Sequence, residues 1–158
     1  FWLLGSLSGS VWEQILPSVI VVVLATLLLV ALHSWLDALA AGAEVASALG
    51  VPVRGLRIAL FVLVSVLVGV LVAVSGGIGF VGLVVPHLAR IVVGARHRVV
   101  LPVAAVGGAL FMLWVDVAAR VVVRPQEIPL SVVTGLVGAP IFLLLLGRRH
   151  YTYSGGGE

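Results

Sequence analysis

The stretch IALFVLVSVLVGVLVAVSGGIGFVGLVVP, residues 58–86, contains no charged side chain. About 20 consecutive apolar residues are enough for a helix to cross the hydrocarbon core of a bilayer, so this stretch holds more than one crossing. The cluster Ser75-Gly76-Gly77-Ile78-Gly79 divides it, because glycine-rich segments favour turns over helix. The sequence therefore predicts two membrane-spanning helices here, at 53–74 and 78–94.

The composition of the whole chain also indicates a membrane protein. Hydrophobic residues make up 62% of the chain and charged residues 9%, with a mean hydropathy of +1.32. A water-soluble domain carries about 25% charged residues because its surface must be solvated. The basic residues are all arginines, placed singly or in pairs between apolar runs, which indicates topology signals and excludes nucleic-acid binding. Cysteine is absent, which excludes disulfides and thiolate metal sites.

Further uncharged stretches extend the pattern at 15–32, 99–115 and 128–147. The predicted fold class is all-α, a polytopic transmembrane helical bundle with about five spans. These spans are 14–35, 53–74, 78–94, 99–123 and 129–147. Close helix packing in lipid favours small residues, which we expect at Gly107-Gly108 and at the pair Gly135 and Gly138.

Arginine placement orients the predicted spans. Positively charged loops remain in the cytoplasm. Three arginine-bearing regions fall on one side of a five-span chain: Arg54 and Arg57, Arg96 and Arg98, and Arg148 and Arg149, whereas Arg124 falls on the other side. We therefore predict that 36–52, 95–98 and 148–158 are cytoplasmic, and that 150–158 is a flexible tail.

Two ionisable residues stand out in the fourth predicted span. Asp116 and Arg120 lie four residues apart in an otherwise apolar helix, so they share a face and can pair. Ionisable side chains at membrane depth are costly and are candidates for function. Two interpretations stay open: a structural ion pair that orients the helix, or, for Arg120, a partner-binding charge near the outer surface.

His87 follows Pro86 in the third predicted span. A metal site needs companion ligands, and no second histidine or acid lies at helical spacing, so we predict no metal site. We predict helix bends at Pro86 and Pro140, because proline removes a helix hydrogen bond. A proton relay at His87 is the alternative. Nucleophile-elbow, zinc-protease and phosphate-loop motifs are missing, so the chain is not predicted to be an enzyme.

The segment 42–52 is short, alanine-rich and helix-prone, and Gly50 and Pro52 close it. It is either a surface turn of helix that links two spans or a docking helix for a cytoplasmic partner. Its spacing alone does not separate these interpretations.

The run GIGFVGLVVPHLAR, residues 77–90, resembles the signature of FecCD-type permeases. These are the membrane subunits of ABC importers for iron-siderophores, haem and cobalamin. Other segments fall in the order and spacing of this family: 2–9 with Trp12, His97-Arg98 with Leu101-Pro102, Asp116 to Arg120, Glu127-Ile128-Pro129 and Gly138-Ala139-Pro140.

The resemblance implies a permease subunit of roughly ten helices, of which residues 1–149 would be the carboxy-terminal half. It implies a multi-pass protein of the bacterial cytoplasmic (inner) membrane. Two permease subunits, identical or homologous, would enclose the path, and a cytoplasmic ABC ATPase dimer would hold ATP and Mg²⁺. An extracytoplasmic substrate-binding protein would deliver cargo. This chain would bind no cofactor, and its first expected cargo is an iron-siderophore, with haem or cobalamin next.

The resemblance also assigns roles to residues. Glu44, Ala46, Leu49 and Gly50 match the ATPase-coupling segment of the family, although Ala43 stands where the usual glycine precedes the glutamate and Gly42 is displaced by one. Arg120, with Arg124, would dock the binding protein. The residues expected along the translocation path or at its helix bends are Gly5, Ser8, Gly9, Pro86, His87 and Pro140.

Two other classes of protein compete with a permease subunit. An ATP-independent channel or proton-coupled carrier would use Asp116, His87 and Arg120, and would transport without ATP. An intramembrane hydrolase would need the nucleophile or metal motifs that the sequence lacks.

Overall fold

The computed structural model describes Gly5, Leu7 and residues 11–121 and 128–150; of residues 145–150 it describes the backbone. The described part is mostly helical, and no strand occurs in it. This confirms the predicted class, an all-α bundle of membrane helices. The helices are α1 Trp12–Ala31, α2 His33–Ala40, α3 Ala43–Ala48, α4 Val53–Ser75, α5 Val81–Val93, α6 His97–Val121 and α7 Leu130–His150.

Among the described residues, α1, α4 and α6 are each long and apolar enough to cross a membrane. Helix α5 and residues 130–144 of α7 are apolar but shorter. Large apolar side chains cover the outer faces of these helices; Trp114 of α6, for example, is 71% exposed. Such faces are stable against lipid or against other membrane helices, and they would be costly in water.

The helix boundaries differ from the predicted spans by up to four residues, and two of the differences coincide with a break in the helical backbone. The predicted span 14–35 is interrupted at Leu32, whose ψ of 10° lies outside the α-helical range, so α1 ends at Ala31 and α2 starts at His33. The predicted span 78–94 begins later, at Val81, because Phe80 has a left-handed backbone with φ 66°. Pro86 and Pro140 lie inside α5 and α7, and neither proline ends its helix. A bend at either one stays a prediction.

One end of the bundle, here called the arginine end, brings together α2, α3, the start of α4 and the start of α6. Arg54, Arg57, Arg96 and Arg98 lie at this end, and all four are exposed. The contact between α2 and the first residue of α6 fixes this grouping independently of the arginine pattern.

The opposite end, here called the glycine end, is built around Gly5. The Leu130 N–H, at the start of α7, donates to the Gly5 carbonyl at 3.0 Å. Gly5 has φ +73°, and a Cβ built on it would lie 3.1 Å from the Gly77 carbonyl oxygen and 3.2 Å from that of Ser75. Only glycine combines this backbone conformation with so close an approach of backbone oxygens. Gly5 is thereby held against both the α4–α5 turn and α7.

Close packing in the bundle uses the glycines that the sequence singled out. Val85 of α5 lies over Gly107 and Gly108 of α6, 3.8 Å from a Cβ built at either position. Gly135 and Gly138 of α7 receive the side chain of Phe80. The expectation of close helix contacts at these four glycines is therefore confirmed, and the structure adds their partners.

Candidate functional site

The buried residue of helix α3 is Ala46, and it anchors the helix at the arginine end. Ala46 is fully buried and forms a small core with Val51 and Leu56, so it joins α3 to the first turns of α4. Apolar residues from the neighbouring helices close around this core: Leu32, Ala38, Leu39, Val53 and Leu60. The core fixes the position of α3 even though the helix is only six residues long.

The rest of α3, together with Leu49 that caps it, is exposed and partly apolar. Leu49 is 69% exposed and Val45 is also exposed, and the two lie four residues apart beside the exposed Glu44. The Ser47 hydroxyl donates to the Glu44 carbonyl at 2.8 Å, within the same turn. Exposed apolar side chains next to a charge, outside the long apolar helices, are typical of a protein-docking surface. We call Glu44, Val45 and Leu49 the α3 surface.

Glycines bound α3 at both ends. Gly42 precedes the helix with φ 126° and Gly50 follows it with φ 80°, in the range that only glycine adopts without strain. The backbone position that needs a glycine before α3 is therefore residue 42. Ala43 already lies inside the helix, so the departure from the family pattern at that position does not disturb the start of α3.

A hydrogen-bonded contact that the sequence analysis missed lies next to α3. Asp37 of α2 accepts the backbone N–H of His97 at 3.0 Å, and its Oδ1 also lies 2.5 Å from His97 Nδ1. These hydrogen bonds, first from the backbone and then from the side chain, lower the pKa of Asp37. The carboxylate is therefore ionised at neutral pH, and it sits at the positive end of the α6 dipole. The two residues are 60 apart, so no local spacing could have indicated the pair.

Asp116 and Arg120 form a two-point ion pair near the far end of α6. Arg120 Nε donates to Asp116 Oδ2 at 2.8 Å, and Nη2 donates to Oδ1 at 3.2 Å. The Arg120 side chain is 46% exposed and that of Asp116 is 23% exposed. The pair therefore lies at the surface of the bundle toward the glycine end. Arg124, expected to act beside Arg120, lies outside the described residues.

The residues expected along a path are spread over the bundle. Gly5 lies at the glycine end, half-buried Pro86 and His87 lie midway along α5, and Pro140 is exposed on α7. Ser8 and Gly9 lie outside the described residues. An apolar groove of about 460 Å³ runs between α1 and α4 and starts at Leu7, two residues from Gly5. Within the described ranges, no three His, Asp or Glu side chains are grouped so that they could hold a metal ion.

Residues 1–148 match the family model of the FecCD transport family. The chain belongs to this family. The match covers every helix described above except the last residues of α7, so the resemblance carried by residues 77–90 extends over almost the whole chain.

Relatives in the FecCD transport family include permease proteins with known cargo. The chain is 43% identical to the hemin transport system permease protein of Yersinia pestis over 154 residues, 98% of this chain and 46% of the relative. It is 43% identical to the vitamin B12 import system permease protein of Vibrio cholerae over 150 residues, 95% of this chain and 45% of the relative. The chain thus spans about half the length of the curated relatives it matches.

A solved FecCD-like structure shares the fold. A metal-chelate type ABC transporter in an inward-facing conformation superposes with a TM-score of 0.88 at 42% identity, over 94% of this chain and 48% of that one. The chain is therefore a multi-pass membrane protein, and its relatives include permease proteins of transport and import systems. The α3 surface, the Asp37–His97 contact and the Asp116–Arg120 pair lie on this shared framework.

Proposed function

We propose that this chain is the carboxy-terminal half of a permease subunit in a binding-protein-dependent ABC importer of the bacterial inner membrane. The observation that carries the proposal is the α3 surface. A short helix is anchored by fully buried Ala46 and presents Glu44, Val45 and exposed Leu49 at the arginine end of a FecCD-family bundle. Such a surface suits a cytoplasmic ATPase dimer, which would itself hold ATP and Mg²⁺.

The mechanism would be alternating access. Two permease subunits, two copies or a homologous pair, would line a central path that opens to one side of the membrane at a time. Nucleotide can drive this change only if the ATPase dimer binds the two permease conformations with different affinity. Since α3 is fixed to α4 by the Ala46 core, closure of the ATPases would move α3 and the adjoining helices as a unit.

The proposed cargo is an iron-siderophore complex, with haem or a cobalamin as the related possibilities. The hemin and vitamin B12 permeases among the relatives, and the metal-chelate transporter of the same fold, support a large chelated metal as the cargo class. The groove between α1 and α4 is lined mainly by apolar residues, and the described residues offer no cluster of metal ligands.

The proposal is tested by uptake. The full-length permease is reconstituted in liposomes with its ATPase and binding protein, and labelled ferric siderophores, haemin and cyanocobalamin are supplied outside. We expect one class to accumulate when ATP is enclosed with the ATPase and none when the ATPase is omitted. Equal uptake with and without the ATPase would contradict the proposal. ATP hydrolysis without uptake of any of the three would be consistent with an ABC permease but would contradict the proposed cargo class.

Arg120 gives a test of binding-protein docking at the glycine end. Arg120→Gln is expected to slow association of the binding protein about 3- to 10-fold at low salt, because rim charges act mainly on encounter. The effect should shrink as salt rises and screens the charge. Surface plasmon resonance on the permease in nanodiscs would measure the association rate.

The controls separate a docking role from a role in the fold. Arg120→Lys retains the charge and should keep most of the association rate, while Arg98→Gln removes an exposed arginine at the other end and should change nothing. If Arg120→Gln associated at the wild-type rate at low salt, Arg120 would have no role in docking.

A further inference from the structure

A connection of two residues joins helix α2 to helix α3. Ala41 and Gly42 are the only residues between them, and the Ala41 N–H donates to the Asp37 carbonyl at 3.2 Å while the Ala46 N–H donates to the Gly42 carbonyl at 3.0 Å. Ala38 and Leu39 of α2 also pack on the core that holds Ala46. A displacement of α3 therefore has to move α2.

Asp37 ties this α2–α3 unit to a third element, α6. It binds both the backbone N–H and the side chain of His97, the first residue of α6. The imidazole is 20% exposed and the carboxylate 38% exposed, so the contact is only partly open to water. Anchoring through a backbone N–H fixes the end of the helix itself, whereas a contact between two side chains alone could slip as rotamers change.

Helix α6 connects the two ends of the bundle. It is an uninterrupted helix of 25 residues, so it spans about 37 Å at 1.5 Å per residue. Near its far end, Val115 and Ala119 form a core with Leu130 of α7, and Leu7 and Ile78 of the glycine end pack on it. A shift of α6 at His97 would therefore displace the residues at the glycine end, where Gly5, the α4–α5 turn and α7 meet.

We infer that the Asp37–His97 contact makes the α2–α3 unit and α6 move together, so that displacement of α3 by the ATPase reaches the outer end of the bundle. This inference rests on the proposed function. Asp37 and His97 are thus positioning residues: they contact neither nucleotide nor cargo and act through α6. Without the contact, the ATPases would still dock on the α3 surface and hydrolyse ATP, but α6 would no longer follow α3.

The test follows the far end of α6 directly and needs no knowledge of the cargo. The chain has no cysteine, so Val121→Cys places a single thiol at the exposed last residue of α6; cysteines elsewhere in the full-length permease are replaced. The complex with its ATPase is placed in nanodiscs. The rate of labelling by a polar maleimide is compared between the nucleotide-free state and the state trapped with ATP and vanadate.

In the otherwise wild-type complex, nucleotide is expected to change the labelling rate several-fold. Asp37→Ala should lose most of that change while ATP hydrolysis persists. Asp37→Asn retains an acceptor for the His97 N–H and should lose less. In a double-mutant cycle, adding His97→Ala to Asp37→Ala should cause no further loss, because the two residues act through one contact. Ser34→Ala, an exposed residue of α2, is the matched control and should behave as wild type.

Two results would overturn the inference: no nucleotide-dependent change at Val121→Cys in a complex that hydrolyses ATP, or an undiminished change in the well-folded Asp37→Ala and Asp37→Asn variants. Failure of the proposed function looks different, because then no ATPase would bind the permease at all.

Discussion

Gly138→Ala is expected to destabilise the full-length permease strongly, although alanine normally improves a helix. A Cβ built on Gly138 would lie 2.5 Å from the Cβ of Phe80 and 3.2 Å from its Cγ. The position of a Cβ is set by the backbone, so Phe80 cannot relieve this clash by changing rotamer. Forced overpacking of this kind costs about 1–3 kcal/mol. Thermal unfolding in detergent, followed by intrinsic tryptophan fluorescence, should show a clear drop in Tm.

Gly135 supplies the matched control on the same helix. A Cβ at Gly135 would lie 3.8 Å from Phe80 Cε2, an ordinary van der Waals contact. Replacing a glycine inside a helix with alanine is favourable by about 0.5–1 kcal/mol when nothing clashes. Gly135→Ala should therefore leave Tm unchanged or raise it slightly.

A rescue experiment identifies the partner of Gly138. Phe80→Gly removes the opposing Cβ and also relieves the left-handed backbone at φ 66°, so it should restore much of the stability lost in Gly138→Ala. Phe80→Ala keeps the Cβ and should restore little. If Gly138→Ala melted like Gly135→Ala, α7 would not pack on Phe80 as described.

Leu49→Arg is expected to abolish ATP-driven uptake by preventing the ATPase from docking. Leu49 is 69% exposed, so the substitution does not disturb the fold, but it places a charge in the α3 surface. Truncating or charging a central apolar anchor costs about 2 kcal/mol or more, which is about 30-fold in affinity. Glu44→Arg, a charge reversal one turn away, should weaken docking in the same direction. Titration of the ATPase against the permease in nanodiscs measures the loss.

Two variants control for the substitution itself. Leu49→Met retains an apolar side chain and should bind the ATPase nearly as well as wild type. Ala40→Arg introduces the same charge at the exposed end of α2, outside the α3 surface, and should dock normally. Wild-type affinity for Leu49→Arg would show that the ATPase binds elsewhere on the chain.

The lengths of uncharged apolar runs and the position of breaker residues predicted most of the bundle. Long uncharged runs located α1, α4 and α6 because a membrane helix needs an apolar surface on all sides. The predicted helix boundaries were wrong where the backbone leaves the helical range, at Leu32 and at Phe80. Phe80 has a left-handed backbone, and its side chain packs on Gly135 and Gly138, which are more than 50 residues away in the sequence. No local pattern contains that information.

The same distinction applies to the candidate site: contacts between residues close in sequence could be predicted, and contacts between distant residues could not. Asp116 and Arg120 could be paired from sequence because residues four apart share a helix face, and the structure places them in contact. Asp37 and His97 could not, since only the folded chain brings the end of α2 to the start of α6. For α3, the resemblance supplied the role, while burial of Ala46 and exposure of Leu49 supplied the physical orientation. The roles of Glu44, Ala46, Leu49 and Gly50 stay predictions.

The central claim is that ATP hydrolysis at α3 drives transport, and the energy source of uptake tests it most directly. Liposomes containing the full-length permease, its ATPase and its binding protein are loaded with ATP or with a non-hydrolysable analogue, with and without a protonophore. We expect uptake only with ATP, insensitive to the protonophore and lost in Leu49→Arg. Uptake that proceeds without ATP, collapses with the protonophore and is lost in Asp116→Asn but retained in Leu49→Arg would contradict the account. That pattern would identify a proton-coupled carrier instead.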